Sequence, residues 1–281
     1  MSLLDPARLA LAFSVLPWPE QEKARLWESL QNGESIKLHP GTASQLAALD
    51  LSRFRDEASA KNARLVLPGD EGSDAFFEPL PYVVALWVRG TLPPPGLRIA
   101  VVGTRTPSLV GRERARNWSR QLTESGVNVL SGLARGIDTE AHRAALAVGG
   151  RTIAVLGNGL FNIYPPENKA LAARICRQGA LVSELLPEAT VSRHGLLARD
   201  RLQAALTQAV IVVQTHTGCG SLTTARYAVS CRRPLFALHW QEEPFTTGLA
   251  RLRQIGAVSV GFDNLEEIFR AAAEPPRGLF P

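Results

Sequence analysis

Residues 127–146, VNVLSGLARGIDTEAHRAAL, decide how the chain is expected to fold. The segment opens with a short β-branched run typical of a buried strand, and it closes with an Ala-rich stretch of helical spacing. The glycine-containing turn SGLARGID, residues 131–138, joins the two. A strand that turns directly into a helix in this way indicates one unit of a parallel α/β sheet.

The same alternation repeats along residues 97–273. Continuous apolar runs, which are typical of buried parallel strands, alternate with amphipathic helical segments. The runs are LRIAVVG, VNVL, RTIAVLG, ALVSE, AVIVVQ, PLFAL and AVSV. The predicted helices span residues 112–125, 138–148, 166–178, 199–207, 221–230 and 264–273. We therefore predict the α/β class, with a parallel sheet covered by helices on both faces.

The part of the chain before the sheet is predicted to be small and mainly helical. Helical spacing indicates a buried helix in the run LALAFSVL, another at 20–30, and helical structure in the Ala- and Leu-rich stretch 42–60. A strand in PYVVALWVRG ends at Gly90, before the proline-rich connector TLPPPG. The predicted division is an N-terminal region at 1–64, a core at 65–273 with its lead-in strand at 81–90, and a tail at 274–281.

Composition and charge narrow the classes of ligand. The net charge is +5 with a pI near 9.5, and the cations are mostly arginine, which favours nucleic acid or acidic ligands. The three cysteines include no CxxC pair, so we expect a reducing, cytoplasmic location without disulfides or a zinc site. No apolar window reaches the ~18 residues of a membrane span, so no membrane contact is expected.

Five segments are predicted to lie at the carboxyl edge of the sheet, where helix N-termini present free N–H groups to ligands. They are GTRTPSLVGRE at 103–113, SGLARGID at 131–138, GNGLFNIYPPEN at 157–168, residues 185–201, and HTGCGSLTTAR at 216–226. The hydroxyls and cations in or beside these segments include Ser131, Ser221, Thr223, Thr224, Arg105, Arg135, Lys169, Arg199 and Arg201. Single glycine turns with Ser or Thr caps are common in α/β proteins, but this repetition favours a phosphate-bearing ligand.

Two features raise the question of catalysis. Asp138 and His142 are four residues apart, so they share a helix face, but no third partner is visible and a structural role is favoured. Cys219 lies between two glycines and is interpreted as a small residue in a tight turn rather than a nucleophile. The motifs GxxxxGK[ST], HExxH, GxSxG and GxGxxG are absent. We therefore expect no catalytic residue, metal or cofactor.

The turns resemble those of the DprA/Smf family of DNA-processing proteins, over about residues 65–270. The matching pieces are VVGTR, SGLARGID with its following AH, RTIAVLGNGLFNIYPPEN, GAL-VSE, RDRLQAAL and GCGSLTTARYA. The resemblance implies an extended Rossmann-like core that binds single-stranded DNA in a basic pocket. It also implies a homodimer that delivers RecA recombinase onto DNA during natural transformation.

The turns and the resemblance together predict a set of site residues. The residues expected to bind DNA phosphates are Gly103, Thr104, Arg105, Ser131, Gly132, Lys169, Arg199, Arg201, Gly220, Ser221 and Thr224. The residues expected to stack on bases or to line the pocket are Asn158, Phe161, Tyr164 and Asn168.

Several positions depart from the pattern of the family. Asp200 replaces the asparagine between two arginines, and a carboxylate there would partly neutralise them and repel phosphate. Thr104 replaces a serine, residues 196–197 are Leu-Leu where the family has Phe-Pro, and residues 239–240 are His-Trp where it has Pro-Gly.

These departures leave two other functions open. One is a module of a defence or signalling system that senses a small nucleotide in the same pocket. The other is an enzyme that cleaves nucleoside monophosphates at the glycosidic bond with Glu184, although the PGGxGTxxE turn of such enzymes is absent.

Overall fold

A single sheet of nine strands forms the centre of the computed structural model, which describes residues 6–16, 18–34, 40–67, 70, 85–241, 244–261 and 264–273. The spatial order of the strands is β1-β2-β6-β5-β4-β3-β7-β8-β9. Their bounds are β1 Arg64–Val66, β2 Leu86–Gly90, β3 Arg98–Val102, β4 Asn128–Ser131, β5 Thr152–Val155, β6 Ala180–Ser183, β7 Ala209–Val212, β8 Leu235–Leu238 and β9 Val258–Val260.

The pairing confirms the predicted α/β class. The strands from β6 through β3 to β9 are all parallel, whereas β2 pairs with β6, and β1 with β2, in antiparallel register. The chain moves outward from β3 towards β6 and then returns to place β7 on the other side of β3. Ligands of doubly wound folds bind at such a reversal of strand order, outside the carboxyl ends of the strands.

The helices cover both faces of the sheet. They are α1 Pro6–Val15, α2 Glu20–Gln31, α3 Pro40–Ala47, α4 Leu51–Ala60, α5 Leu109–Glu124, α6 Ile137–Ala147, α7 Lys169–Gln178, α8 Arg193–Ala205, α9 Ser221–Ser230, α10 Phe245–Ile255 and α11 Leu265–Ala273. The expected helices in LALAFSVL and at 20–30 are present as α1 and α2. The stretch 42–60 comprises two helices, because the Asp50 carboxylate accepts the backbone N–H groups of Ser52 and Arg53 and starts α4.

Two helices differ most from the sequence-based prediction. The helix predicted at 199–207 begins at Arg193, because the Ser192 hydroxyl accepts the backbone N–H of Gly195 at 3.0 Å and caps the first turn. Helix α10 has no counterpart in the prediction. The lead-in strand ends at Gly90 as expected, while residues 81–84 of that prediction and the tail at 274–281 lie outside the described residues.

The N-terminal helices pack directly on the sheet. Leu9, Phe13 and Leu26 are buried in the same apolar cluster as Leu86 and Val182 of the antiparallel edge. Burying each of these side chains stabilises the fold by roughly 1.5–3 kcal/mol. Across the described ranges, every helix is too short or too polar to cross a membrane. The boundary between residues 64 and 65 stays a prediction.

Candidate nucleic-acid interface

A cleft of about 270 Å³ opens where the strand order reverses, at the carboxyl ends of β3 and β7. Four parts of the chain meet there: the loop after β3, the loop between β4 and α6, the middle of α8, and the loop leading into α9. Its lining includes Gly103, Thr104, Arg105, Ala134, Asp138, Arg199, Asp200, Gln203, His216, Gly220, Ser221 and Thr224. Residues distant in sequence therefore converge at one edge of the sheet.

A smaller extension adjoins this cleft on the side of the β5 loop. Arg105, Ala134 and Arg199 line both spaces, so the two are continuous at these residues. The extension is lined further by Gly132, Arg135, Gly157, Asn158, Tyr164, Pro165 and Leu196. Tyr164 is 39% exposed and supplies an aromatic surface close to the cleft arginines.

The loop that carries Arg105 is fixed by its packing against the start of α6. Gly136 has a φ of +75°, and the Ile137 amide donates to the Thr104 carbonyl at 3.2 Å. The Thr104 amide donates in turn to the carbonyl of Gln214 at 2.7 Å, in the loop after β7. These two bonds hold three of the converging loops together.

Substitution of Gly136 by alanine should therefore damage the site. A Cβ at Gly136 would lie 2.3 Å from the Thr104 carbonyl oxygen, in a backbone conformation that L side chains rarely adopt. We expect the free energy of unfolding, measured by urea denaturation, to fall by about 3 kcal/mol.

The matched control is Gly149→Ala, because Gly149 has a similar φ of +74° but open space within 4 Å of the position that a Cβ would take. That variant places alanine at a positive φ without a steric contact and should lose about 1 kcal/mol. Equal losses in the two variants would contradict a role for the contact between Gly136 and Thr104.

Arg199 lies inside the cleft wall rather than on an exposed rim. Its Nη1 donates to the Gly132 carbonyl at 3.0 Å and lies 3.5 Å from an Asp138 oxygen. Its Nε lies 3.0 Å from an oxygen of Asp200. A Cβ at Gly132 would come within 1.4 Å of the Arg199 guanidinium, so only glycine leaves room for this arrangement.

Two buried carboxylates, those of Asp138 and Asp200, lie beside Arg199 in the cleft. Burial raises the pKa of Asp200 to about 6, against the opposing attraction of Arg199, and nearby Asp138 raises it further. Arg105 and a hydrogen bond from Thr224 act in the opposite direction. Burial also raises the pKa of Asp138, although Arg199 and the amides of the β4–α6 loop favour its charged form. The net charge of the cleft therefore depends on the protonation of Asp200.

The start of α9 completes the cleft with the hydroxyl groups of Ser221 and Thr224. No side chain caps its first turn, which begins after Gly220. In contrast, Ser108 and Ser192 cap α5 and α8. The Ser221 hydroxyl lies 2.7 Å from that of Thr215, which keeps it at the cleft wall. An uncapped helix start beside an arginine suits an anionic group.

Most of the predicted site residues lie together. Those that line the main cleft are Gly103, Thr104, Arg105, Arg199, Gly220, Ser221 and Thr224. Those that line the extension are Gly132, Asn158 and Tyr164, together with the shared arginines. Asp200, the departure from the family pattern, lines the main cleft, and Leu196 lines the extension.

Five predicted residues line neither the cleft nor its extension. Three of them are Ser131, Asn168 and Lys169. Ser131 is fully buried, and its hydroxyl donates to the Val101 carbonyl at 2.7 Å. Asn168 is buried and donates to the Leu133 carbonyl at 2.8 Å and to the Thr139 hydroxyl at 2.9 Å. Lys169 is exposed at the start of α7, outside both spaces.

Arg201 and Phe161 point away from the cleft. Arg201 is buried and forms an ion pair with Glu184. It lies two residues after Arg199 on α8, so the two side chains face nearly opposite directions. Phe161 packs with the apolar cluster of the N-terminal helices, beneath the cations of Lys61 and Arg89. Their expected contacts with DNA are therefore not supported by the geometry.

The cleft also contains residues that were not predicted, notably Gln203 and His216. Gln203 lies one helical turn after Arg199, so a helix assigned from residue 193 would have placed both on one face. His216 closely follows the end of β7 and is the first residue of the segment 216–226 that was predicted to lie at the carboxyl edge, although it was not among the predicted site residues.

Asp138 and His142 make separate contacts within the protein, and their structural role stays a prediction. Asp138 accepts the backbone N–H groups of Gly132 at 3.1 Å and Ala134 at 3.4 Å. The His142 ring lies 2.8 Å from the Thr152 hydroxyl, and burial lowers its pKa to about 3. The two side chains thus brace different neighbours. Over the described ranges, no group of three or more His, Cys, Asp or Glu residues is placed to hold a metal ion.

The fold and cleft define the class of the protein as a Rossmann-like protein with a cleft, lined by arginines and hydroxyl groups, at the reversal of strand order. A family model described as DNA recombination-mediator protein A matches residues 79–272. The chain belongs to this family.

Relatives of known sequence agree with this assignment. Protein Smf of Synechocystis is 37% identical over 194 residues, which cover 66% of this chain and 48% of that protein. Protein Smf of Escherichia coli is 43% identical over 159 residues, covering 56% and 42%. The DNA processing protein DprA of Bacillus subtilis is 35% identical over 192 residues, covering 67% and 64%. The chain thus spans between 42% and 64% of the length of these relatives.

Two solved structures share the fold. The DNA processing protein A of Streptococcus pneumoniae matches with a TM-score of 0.71 and 28% identity, over 85% of this chain and 89% of that one. That of Helicobacter pylori, from a study of its single-stranded DNA binding mode, matches with a TM-score of 0.63 and 27% identity. The match covers 74% of this chain and 94% of that one.

Proposed function

We propose that this chain binds single-stranded DNA in the cleft and its extension, and that it acts as a recombination mediator. The observation that carries the proposal is Arg105, which is exposed where the two spaces join. Within the described part of the chain its guanidinium forms no direct ion pair, so it is available to a phosphate.

The remaining groups divide the work of holding a strand. Arg105 and the uncapped start of α9, with Ser221 and Thr224, bind the phosphates. Tyr164 stacks on a base in the extension. The Arg199 guanidinium already contacts the Gly132 carbonyl and two carboxylates of the cleft. It therefore stabilises the shape of the cleft and adds to its positive electrostatic potential. No bond is made or broken in this function, and the chain acts as a binding protein rather than an enzyme.

The family resemblance and the relatives support the wider biological role. The Helicobacter pylori structure concerns binding of single-stranded DNA by a protein of the same fold. By the same resemblance, the protein forms a homodimer and hands the coated strand to RecA recombinase in the cytoplasm. The free thiols of Cys176, Cys219 and Cys231 are consistent with a reducing compartment.

A small nucleotide is the second candidate ligand, because the main cleft is compact and holds Asp200 beside the arginines. A mononucleotide that raises the melting temperature of a protein with no affinity for single strands would favour that function. The glycosidic-bond alternative lacks support, since Glu184 is paired with Arg201 outside the cleft.

The Arg105→Ala variant tests the proposal. Fluorescence anisotropy with a labelled oligothymidylate should show about tenfold weaker binding, because a charge-assisted contact to phosphate is lost. The slope of log affinity against log salt should fall by about 0.7. The control is Arg120→Ala, which removes an exposed arginine at the far end of α5. Unchanged affinity in Arg105→Ala would overturn the proposed site.

A further inference from the structure

A second groove, of about 560 Å³, lies between α9 and α10 on the outer side of the loop after β7. Gly218 and Cys219 line both this groove and the main cleft, so the two are separated only by the tip of that loop. We call this space the α9–α10 groove. None of the relatives or family features described above assigns it a role.

The α9–α10 groove is positively charged and exposed. Arg226 projects from α9 and Arg251 from α10, and both side chains are exposed. The described residues that line the groove include no carboxylate. Arg251 donates to the Gln254 side-chain oxygen at 2.8 Å, which holds its guanidinium near the groove. The main cleft differs, since Asp138 and Asp200 there offset much of the charge of its arginines.

Hydroxyl groups add hydrogen-bonding capacity to the α9–α10 groove. Thr217, which is exposed, and Thr223 line it between the cleft and the two arginines. Arginines, hydroxyls and no opposing carboxylate suit a phosphodiester backbone, which carries a charge at every nucleotide. Among the described residues that line the groove, the only large apolar side chain, Leu222, is buried, so an apolar peptide is a poorer match.

We propose that the α9–α10 groove is a second phosphate-binding surface that carries a single strand of DNA onward from the main cleft. This inference rests on the proposed function of the cleft. The strand passes the tip of the loop at Gly218, and its following phosphates contact Arg226 and Arg251. Short strands occupy the cleft alone, while longer strands use both surfaces.

The test compares strand lengths in the full chain. Binding of oligothymidylates of about 4 and about 30 nucleotides is measured by anisotropy over a range of salt concentrations. In the double variant Arg226→Ala with Arg251→Ala, affinity for the long strand should fall about tenfold. The salt slope for that strand should fall by about 1.4, corresponding to two lost contacts. Binding of the short strand should stay at the wild-type level.

The matched control removes equal charge elsewhere. Arg174→Ala with Arg177→Ala takes two exposed arginines from α7, on the opposite half of the sheet, and should leave both strands unaffected. A glutamine pair, Arg226→Gln with Arg251→Gln, repeats the test while retaining side-chain length. Thermal melts check that each variant is folded.

Different outcomes separate this inference from the function on which it rests. If the wild-type protein binds neither strand, the proposed function fails. If it binds both, and the groove variants keep the wild-type salt slope on the long strand, the α9–α10 groove does not contact DNA. Equal losses on short and long strands would also overturn the inference, because the arginines would then act on the cleft itself.

Discussion

Replacement of Arg199 by alanine should lower the free energy of unfolding by about 3–5 kcal/mol near neutral pH. The Arg199 side chain is only 7% exposed and lies against two carboxylates that are themselves buried. Its removal leaves Asp138 and Asp200 facing each other without a cation between them. The Gly132 carbonyl also loses its hydrogen bond from Arg199, which lowers the free energy of unfolding further.

Urea denaturation of the variant gives this change directly. The contrasting variant is Arg105→Ala, whose exposed side chain should change stability by less than about 0.5 kcal/mol while weakening DNA binding. A further Asp200→Asn substitution in the Arg199→Ala background should recover part of the stability, because one unpaired charge is then removed. A stability loss below about 1 kcal/mol in Arg199→Ala would show that the buried ion pairs do not support the cleft.

Single-stranded DNA should bind about tenfold to a hundredfold more tightly at about pH 5 than at about pH 8. The pKa of Asp200 is about 6 in the folded protein, so its carboxyl is mostly neutral at the lower pH and charged at the higher one. A charged Asp200 repels an incoming phosphate. Binding therefore takes up a proton wherever Asp200 begins ionised.

The raised pKa of Asp200 also determines how the free energy of unfolding changes with pH. The folded value of about 6 is above the ordinary 3.8, so the folded state holds this proton more tightly than the unfolded state does. The contribution of the Asp200 proton to the free energy of unfolding is complete below about pH 4 and is lost as the pH rises through about 6. Asp200→Asn should remove this dependence.

Anisotropy titrations across pH check the binding effect in wild-type and Asp200→Asn proteins. The variant should bind at about pH 8 nearly as tightly as the wild type does at about pH 5. His216 also lines the cleft, so both proteins are also compared in a His216→Gln background. Asp138, Arg105 and Arg199 are the other charged groups lining the cleft, and they are unchanged in both proteins. A wild-type pH profile that persists in Asp200→Asn would contradict the role of Asp200.

The sequence was sufficient to predict the sheet and the edge at which the cleft lies. Apolar runs such as LRIAVVG and AVIVVQ are buried on both faces, which is a strong local signal for parallel strands. Because parallel strands end at one edge, the turns after β3 and before α9 were predicted to meet, and they do. The antiparallel pairing of β1 and β2 has no equivalent local signal, since pairing partners are set by tertiary packing.

The site was harder to predict wherever side-chain direction mattered. The turn pattern assigns Arg199 and Arg201 the same role, but both lie within α8, which places them on different faces. Ser131 belongs to the last position of β4, where its hydroxyl bonds within the sheet. Phe161 packs against the apolar cluster of the N-terminal helices, and the position of this cluster cannot be inferred from the turn motif alone.

Hydrogen–deuterium exchange of the wild-type protein, with and without a long oligothymidylate, tests the central claim most directly. The claim is that loops converging at the carboxyl edge bind the backbone of a single strand. DNA should slow amide exchange in residues 103–106, 132–135 and 218–221, which line the cleft and its extension. Slowed exchange confined to other surfaces, such as α1 and α2, with these three loops unchanged, would contradict the account.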